Sequence, residues 1–428
     1  MVLATLVRYG LPIVFFMMLS GMPKPAEAVE KDWLKTNGRQ ITDLSGNPVW
    51  ITGLNWFGYN TGTNTFDGLW SVNLKATLGA IADRGFNMLR IPISTQLLHE
   101  WSQGIYPRAN INEHVNPELR GLNSLEVFDQ MLRFAAEAGI KVMMDVHSAK
   151  TDAMGHFHPL WYHDHITPEI FSDSWVWFAE RYRDDDTILA FDLQNEPHGK
   201  YYQEPEWSAI WDDSDHINNW RKVAEDLSNR LLAVNPHILI LVEGIETFPK
   251  AGAYGSRSEE DYHDNWWGGN LRGVRDFPVK PRVEHQLVYS PHDYGPGVYR
   301  QPWFYDGFNK DSLYRDVWRD NWFYIAEDNI APLLMGEWGG YLRGDDLVWQ
   351  TALRDFIVEH RIHHTYWCFN ANSGDTGGMV DHDFRTWDEG KYNFVLPALW
   401  RDEAGRFIGL DHQVPLGKKG VSLGGALK

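Results

Sequence analysis

Glu196 and Glu337 each close an apolar run, in Phe191-Asp192-Leu193-Gln194-Asn195-Glu196-Pro197 and in Leu333-Leu334-Met335-Gly336-Glu337-Trp338. An apolar run that stops at a polar residue reads as a strand of a parallel sheet. Such folds put their chemistry at the carboxyl ends of the strands. Two carboxylates offered from two such ends suit acid/base and nucleophilic work on one bond, the division of labour used in glycoside hydrolysis. Glu243, in Leu241-Val242-Glu243-Gly244, also ends a strand and is read as a structural hydrogen-bonding residue. Asp145 and Asp192 lie just before strand ends, where inward polar support is the expected duty.

The elements that must position these groups recur along the chain. Eight apolar, β-branched runs appear: Val49–Asn55, Asn87–Ile93, Ile140–His147, Ile188–Glu196, His237–Gly244, Gln286–Tyr294, Ala331–Trp338 and His363–Asn370. Between several of them lie amphipathic stretches of helical period, at Leu125–Ala138, Trp220–Leu232 and Leu347–His360. In the first of these, Leu125, Phe128, Leu132 and Ala135 form one stripe. Alternating strands and helices imply right-handed βαβ units. Eight units in one chain predict an α/β fold of the (β/α)8 TIM barrel type, a single catalytic domain with enlarged βα loops. An open doubly wound sheet is the weaker alternative, because no glycine-rich phosphate fingerprint follows an early strand. The domain is expected over 29–410, followed by a tail at 411–428 whose Gly- and Lys-rich end, Gly417–Lys428, is expected to fray.

Composition narrows the partner. A formal charge of −19, from 39 Lys and Arg against 58 Asp and Glu, repels nucleic acid and anionic lipid alike. A neutral ligand is the natural substrate, and 21 Trp and 18 Tyr supply flat faces for sugar rings. The single cysteine, Cys368, excludes an intrachain disulfide and any Cys-based metal site. His156, His158, His163 and His165 cluster in one loop, yet Leu160-Trp161-Tyr162 in their midst reads as a substrate loop. No metal and no other cofactor is expected. At the N-terminus Arg8, the apolar stretch Leu11–Met22 and Ala26-Glu27-Ala28 follow the three-part plan of a signal peptide over residues 1–28. A secreted, monomeric protein starting near Val29 is expected, periplasmic or membrane-anchored if the leader is not cleaved.

The polar residues at the strand ends are the strongest signal. Arg90, His147, Asn195-Glu196-Pro197, His292 with Tyr294, Glu337 and Trp367 fall in order on successive strands. That set resembles the signature of family 5 glycoside hydrolases, retaining enzymes of clan A built on (β/α)8 barrels. Asn55-Trp56-Phe57-Gly58, Trp266-Trp267-Gly268-Gly269-Asn270 and Ser373-Gly374-Asp375-Thr376-Gly377-Gly378 resemble loops of its bacterial endoglucanases. The resemblance spans roughly residues 35–400. It implies Glu196 as acid/base and Glu337 as nucleophile, with Arg90 and Tyr294 keeping Glu337 ionised. Asn195 would hold a sugar 2-hydroxyl, His147 and His292 would position sugar and carboxylates, and Trp367 would floor the sugar site ahead of a peptide that is often cis. Trp56, Trp161, Trp266 and Trp267 are the candidate platforms for flanking sugars. The implied activity is a secreted endo-β-1,4-glucanase, a cellulase acting on cellulose or a related β-linked polysaccharide. β-Mannanase, xyloglucanase and mixed-linkage β-glucanase share the same catalytic set, and a non-hydrolytic carbohydrate-binding protein is the alternative outside the enzyme class.

Overall fold

The computed structural model describes residues 31–428. Eight strands form the central sheet: β1 Thr52–Asn55, β2 Met88–Ser94, β3 Lys141–Ser148, β4 Ile188–Asp192, β5 Leu239–Val242, β6 Leu287–Tyr289, β7 Leu334–Met335 and β8 His363–Tyr366. All ladders between them are parallel, in the spatial order β6-β5-β4-β3-β2-β1-β8-β7. Two further parallel bridges, Tyr289 with Leu333 and His292 with Glu337, join β6 to β7 and bring the ring to closure. The second of these bridges sets the backbones of two site residues side by side. The fold is the expected (β/α)8 barrel.

The strands are apolar because both faces are covered, by side chains inside the ring and by helices outside. On β3, Val142, Met143, Met144 and Val146 have no exposed surface. The helix Ser124–Glu137 starts at a reciprocal capping box of Asn123 and Glu126 and buries Leu125, Phe128, Leu132 and Ala135, the stripe read from the sequence. Trp220–Val234 and Gly344–His360 are the other two helices read from their period.

The tail does not fray. Leu410, Leu416 and Leu423 are fully buried, and Gly417 donates its N–H to the carbonyl of Ala138. Asp411 accepts from Lys141 at 3.0 Å, and Lys141 also pairs with Asp32 at 2.6 Å. His412 bridges Asp32 and Asp43 at 2.7 and 3.2 Å. These groups gather where β3 begins, so tail and N-terminal hairpin (Leu34–Asn37, Gln40–Asp43) cover that end of the barrel. Glycine and lysine content suggested a loose end; three buried leucines and a network of charge pairs fasten it. The opposite, carboxyl end is left to the βα loops. The expected leader at 1–28 lies outside the described residues. Among the described residues no helix is long and apolar enough to cross a membrane.

Candidate active site

The site is organised around Arg90, a guanidinium with no exposed surface inside the barrel. Its Nη1 donates to Glu337 Oε1 at 2.7 Å and to Asn55 Oδ1 at 3.1 Å. Its Nε donates to Asp192 at 2.9 Å, and its Nη2 to Asn195 Oδ1 at 3.1 Å and Glu243 Oε1 at 3.2 Å. Asp145 lies 3.2 Å from the same Nη2 and holds His147 Nδ1 at 2.7 Å with its other oxygen. One cation thus faces four carboxylates, and a buried site cannot hold that many negative charges at once. Burial pushes the Asp192 carboxyl up to about 6 and raises Glu243 as well, with Asp192 adding to the push on Glu243. The inward support read for Asp145 and Asp192, and the hydrogen-bonding role read for Glu243, are what the structure contains.

Glu196 and Glu337 meet across this cluster. One carboxyl oxygen of each, together with a nitrogen of His292, lie within 4.8 Å of one another. His292 Nδ1 is 3.0 Å from Glu196 Oε1 and 3.7 Å from Glu337 Oε2. Their environments differ in sign. Burial pushes the Glu196 carboxyl up to about 8; His292 opposes that shift and the charge of Glu337 reinforces it. Burial works against ionisation of Glu337 too. There it is outweighed by His292, Arg90 and His147 and by the Tyr294 hydroxyl, which donates to Oε2 at 2.6 Å, so that Glu337 is held at about 2. Two neighbouring carboxyls with pKa values driven apart can act as a proton donor and an anion at one pH.

Donor groups of metal-ligating type do converge here, as Asp192-Glu243-His292 and Glu196-His292-Glu337. The Arg90 guanidinium already sits on Asp192, Glu243 and Glu337 at 2.7–3.2 Å, so the cationic position among these groups is filled by the protein itself. In the histidine-rich loop, the His158 and His163 rings lie 4.0 Å apart, tilted by 35°, and only His156 of the four reaches the cleft.

The cleft above the pair encloses about 1140 Å³. Trp367 forms part of its wall between His147, whose ring is parallel at 5.5 Å, and Phe57, stacked at 5.6 Å. The Trp367–Cys368 peptide is cis. Trp267 also lines the cleft, its indole lying on the His198 ring at 3.8 Å with planes 7° apart. His198 is locked in turn by the carbonyls of Glu196 and Phe157 at 2.7 and 3.2 Å. Gly268 packs against Glu196, which puts Trp267 on that carboxyl's side of the cleft. Two of the tryptophan platforms need correction. Trp56 has no exposed surface; it stacks on Phe66 at 4.1 Å and donates to the carbonyl of Asp67, bracing the loop after β1. Trp161 is equally buried and packs on Trp220 at 5.2 Å, while Trp220 holds the backbone carbonyl of Glu243 at 2.9 Å. Neither indole can meet a sugar. Trp266 lines the cleft but is 7% exposed, edge-on to Tyr294.

With the geometry in place, the comparisons with known proteins agree. The model of the cellulase family, glycosyl hydrolase family 5, matches residues 42–373. The chain belongs to glycosyl hydrolase family 5. It is 47% identical over 430 residues to endoglucanase B of Acetivibrio thermocellus, covering 92% of this chain and 76% of that one. It is 33% identical to the major extracellular endoglucanase of Xanthomonas campestris, covering 85% and 70%. A solved endocellulase of Pyrococcus horikoshii in complex with cellotetraose superposes with a TM-score of 0.76 at 33% identity, covering 86% of this chain and 98% of that one.

In this family 5 hydrolase several cleft residues carry no strand-end signal, because long loops deliver them. Asp67 and Asn372 meet at 2.8 Å on the side of β1 and β8. Lys200, Glu246 and Asp264 line the side of Trp267, with Asp264 taking Lys200 at 3.4 Å and the Tyr202 hydroxyl at 2.9 Å. A short antiparallel pair, Thr247–Pro249 with Tyr262–Asp264, carries that loop. Polar residues beside Gly and Trp in a long loop were the available hint, and it does not single them out.

Proposed function

We propose that this chain is an exported endo-β-1,4-glucanase that cleaves internal bonds of cellulose or a related β-glucan with retention of anomeric configuration. The observation that carries the reading is the pair of carboxyl oxygens within 4.8 Å, one carboxyl shifted to about 8 and the other to about 2. Retaining enzymes place their carboxyls about 5–5.5 Å apart, whereas about 6.5–9.5 Å is needed to seat a water between them in inversion. Glu337 attacks the anomeric carbon as the glycosidic bond breaks, and Glu196 gives its proton to the leaving oxygen. Water, deprotonated by Glu196, then attacks the same carbon and frees Glu337.

The remaining groups serve these two steps. Arg90 and Tyr294 hold the nucleophile from opposite oxygens. Asn195 has its amide oxygen engaged by Arg90, which leaves the amide nitrogen to donate to the sugar 2-hydroxyl. His147 seats Trp367 beneath the ring at the cleaved bond, and Trp267 supports the sugar on the leaving side. Nothing in the two steps calls for a metal. Export is supported by the leader pattern of the first 28 residues and by a relative described as extracellular. The test is a panel of carboxymethylcellulose, barley β-glucan, glucomannan and xyloglucan. The expected result is a viscosity drop on β-1,4-glucans that runs ahead of reducing-end release. Preference for mannan or branched xyloglucan by an order of magnitude would reassign the substrate.

A further inference from the structure

Glu243 is a buried carboxyl that neither chemical step uses, yet it touches the backbone of the acid directly and reaches the acid's carboxyl through His292. Glu196 has a left-handed backbone, with φ +48, a conformation that costs a β-carbon residue of order 1 kcal/mol or more and persists only when its surroundings hold it. What holds it is Glu243, whose Oε2 accepts the Glu196 N–H at 2.7 Å. The other oxygen, Oε1, lies 3.2 Å from His292 Nε2, a close charge contact that does not make a hydrogen bond, and His292 Nδ1 reaches the Glu196 carboxyl at 3.0 Å. The side chain thus closes a loop of contacts from the backbone of Glu196 through His292 to its carboxyl. Glu243 itself is anchored: Trp220 holds its carbonyl at 2.9 Å, and Gly268, at φ +68, packs so close to Oε2 that a side chain there would collide with it. The backbone that presents Trp267 therefore rests on the same carboxyl.

We propose that Glu243 is a positioning residue for the proton donor: it fixes the left-handed turn at Glu196 and, through His292, the direction of the Glu196 carboxyl. The inference rests on Glu196 being the acid of the proposed reaction. The charged and titratable groups around this trio are Arg90 from β2, Asp145 and His147 from β3, Asp192 from β4, Tyr294 after β6 and Glu337 after β7. Most of them bear on the nucleophile as well, so a useful test must separate loss of the acid from damage to Glu337.

Leaving-group dependence separates them. In Glu243→Gln, the amide has one accepting oxygen, so an N–H₂ must face either the Glu196 N–H or the Arg90 donor. For cellotetraose, kcat is expected to fall by about 10²-fold, the scale of a misplaced catalytic group, with KM within about 3-fold. For 2,4-dinitrophenyl cellobioside, whose leaving group needs no proton, kcat/KM is expected to stay within about 3-fold. The alkaline limb of the pH profile on cellotetraose should move to lower pH, because a loosened Glu196 regains water and loses the burial that raises its pKa. Glu243→Ala, read the same way, is the second variant. Equal losses on both substrates, or an unmoved alkaline limb, would overturn the proposal. Glu196→Ala run alongside distinguishes the two readings: if it shows the leaving-group split and the Glu243 variants do not, only this inference fails. If Glu196→Ala loses both substrates equally, the assignment of the acid fails and this inference with it.

Discussion

The Tyr294 hydroxyl lies 2.6 Å from Oε2 of Glu337, opposite the Arg90 guanidinium at 2.7 Å from Oε1. Each oxygen of the nucleophile therefore has one strong donor, which fixes the plane in which it attacks. Letting a catalytic group drift by about 1 Å from its aim costs about 10²-fold in rate. Tyr294→Phe is expected to lower kcat by that order on both cellotetraose and an activated aryl cellobioside, since the nucleophile is needed for either. A loss confined to the unactivated substrate would place Tyr294 with the acid instead.

The opposed shifts of the two carboxyls predict the pH profile. Glu196 must be protonated to act, and its pKa near 8 sets the alkaline limb of kcat/KM there; Glu337, held near 2, leaves the profile flat on the acid side for as long as the fold survives. The limb should therefore appear on cellotetraose and be absent on 2,4-dinitrophenyl cellobioside, whose leaving group needs no proton. An equal limb on both substrates would belong to another group.

The same shift has a consequence for stability. The folded-state pKa of Glu196 lies above its unfolded value of 4.5, so the folded protein binds the proton more tightly. Its neutral form is well tolerated below pH about 4.5, and stability is lost as pH rises through about 8, where a poorly solvated charge must form. Glu196→Gln is expected to raise the melting temperature at pH 8.5 by more than at pH 4.5. Equal changes at the two pH values would contradict the linkage.

The fastening of the tail titrates in the same sense. Burial lowers the His412 pKa, but Asp32 and Asp43 more than compensate and raise it above 6.5. The stabilisation from the charged imidazole is complete below pH about 6.5 and is lost as pH rises through the higher folded value. His412→Ala should cost about 1–3 kcal/mol at pH 5, the range for hydrogen bonds to charged groups, and less at pH 9. Thermal melts at the two pH values check it; a larger loss at pH 9 would reverse the sign.

Trp267 lines the cleft beside Glu196, and in the proposed reaction that makes it a platform for the leaving sugar. Its apolar face, fixed on His198, is worth about 1–2 kcal/mol against a sugar ring. Trp267→Ala is expected to raise KM for cellotetraose about tenfold with kcat within a few-fold. A fall in kcat at constant KM would instead tie the indole to the chemistry.

Much of this was legible in the residues. The barrel was, because parallel strands covered on both faces must be apolar throughout, and each run stops where the cleft begins. The site was also legible at Arg90, Asn195, Glu196, His292, Tyr294 and Glu337, whose types are too polar for those positions without a task. Strand limits were overdrawn: the ladder of β4 ends at Asp192, and although Leu193 and Asn195 still donate backbone N–H groups to Leu241 and Val146, the segment leaves the strand for the left-handed turn at Glu196. Trp56 and Trp161 were misread because an indole can either brace a loop or hold a sugar, and only burial separates the two. The wall of Lys200, Glu246 and Asp264 was invisible because a long loop sets its own course, unmarked by strand or helix period.

The central claim is double displacement across the Glu196–Glu337 gap, and its most direct measurement is the stereochemistry of the first product. Proton NMR of cellotetraose cleavage, followed before mutarotation, should show the new reducing ends appearing as the β anomer. Appearance of the α anomer first would contradict the account.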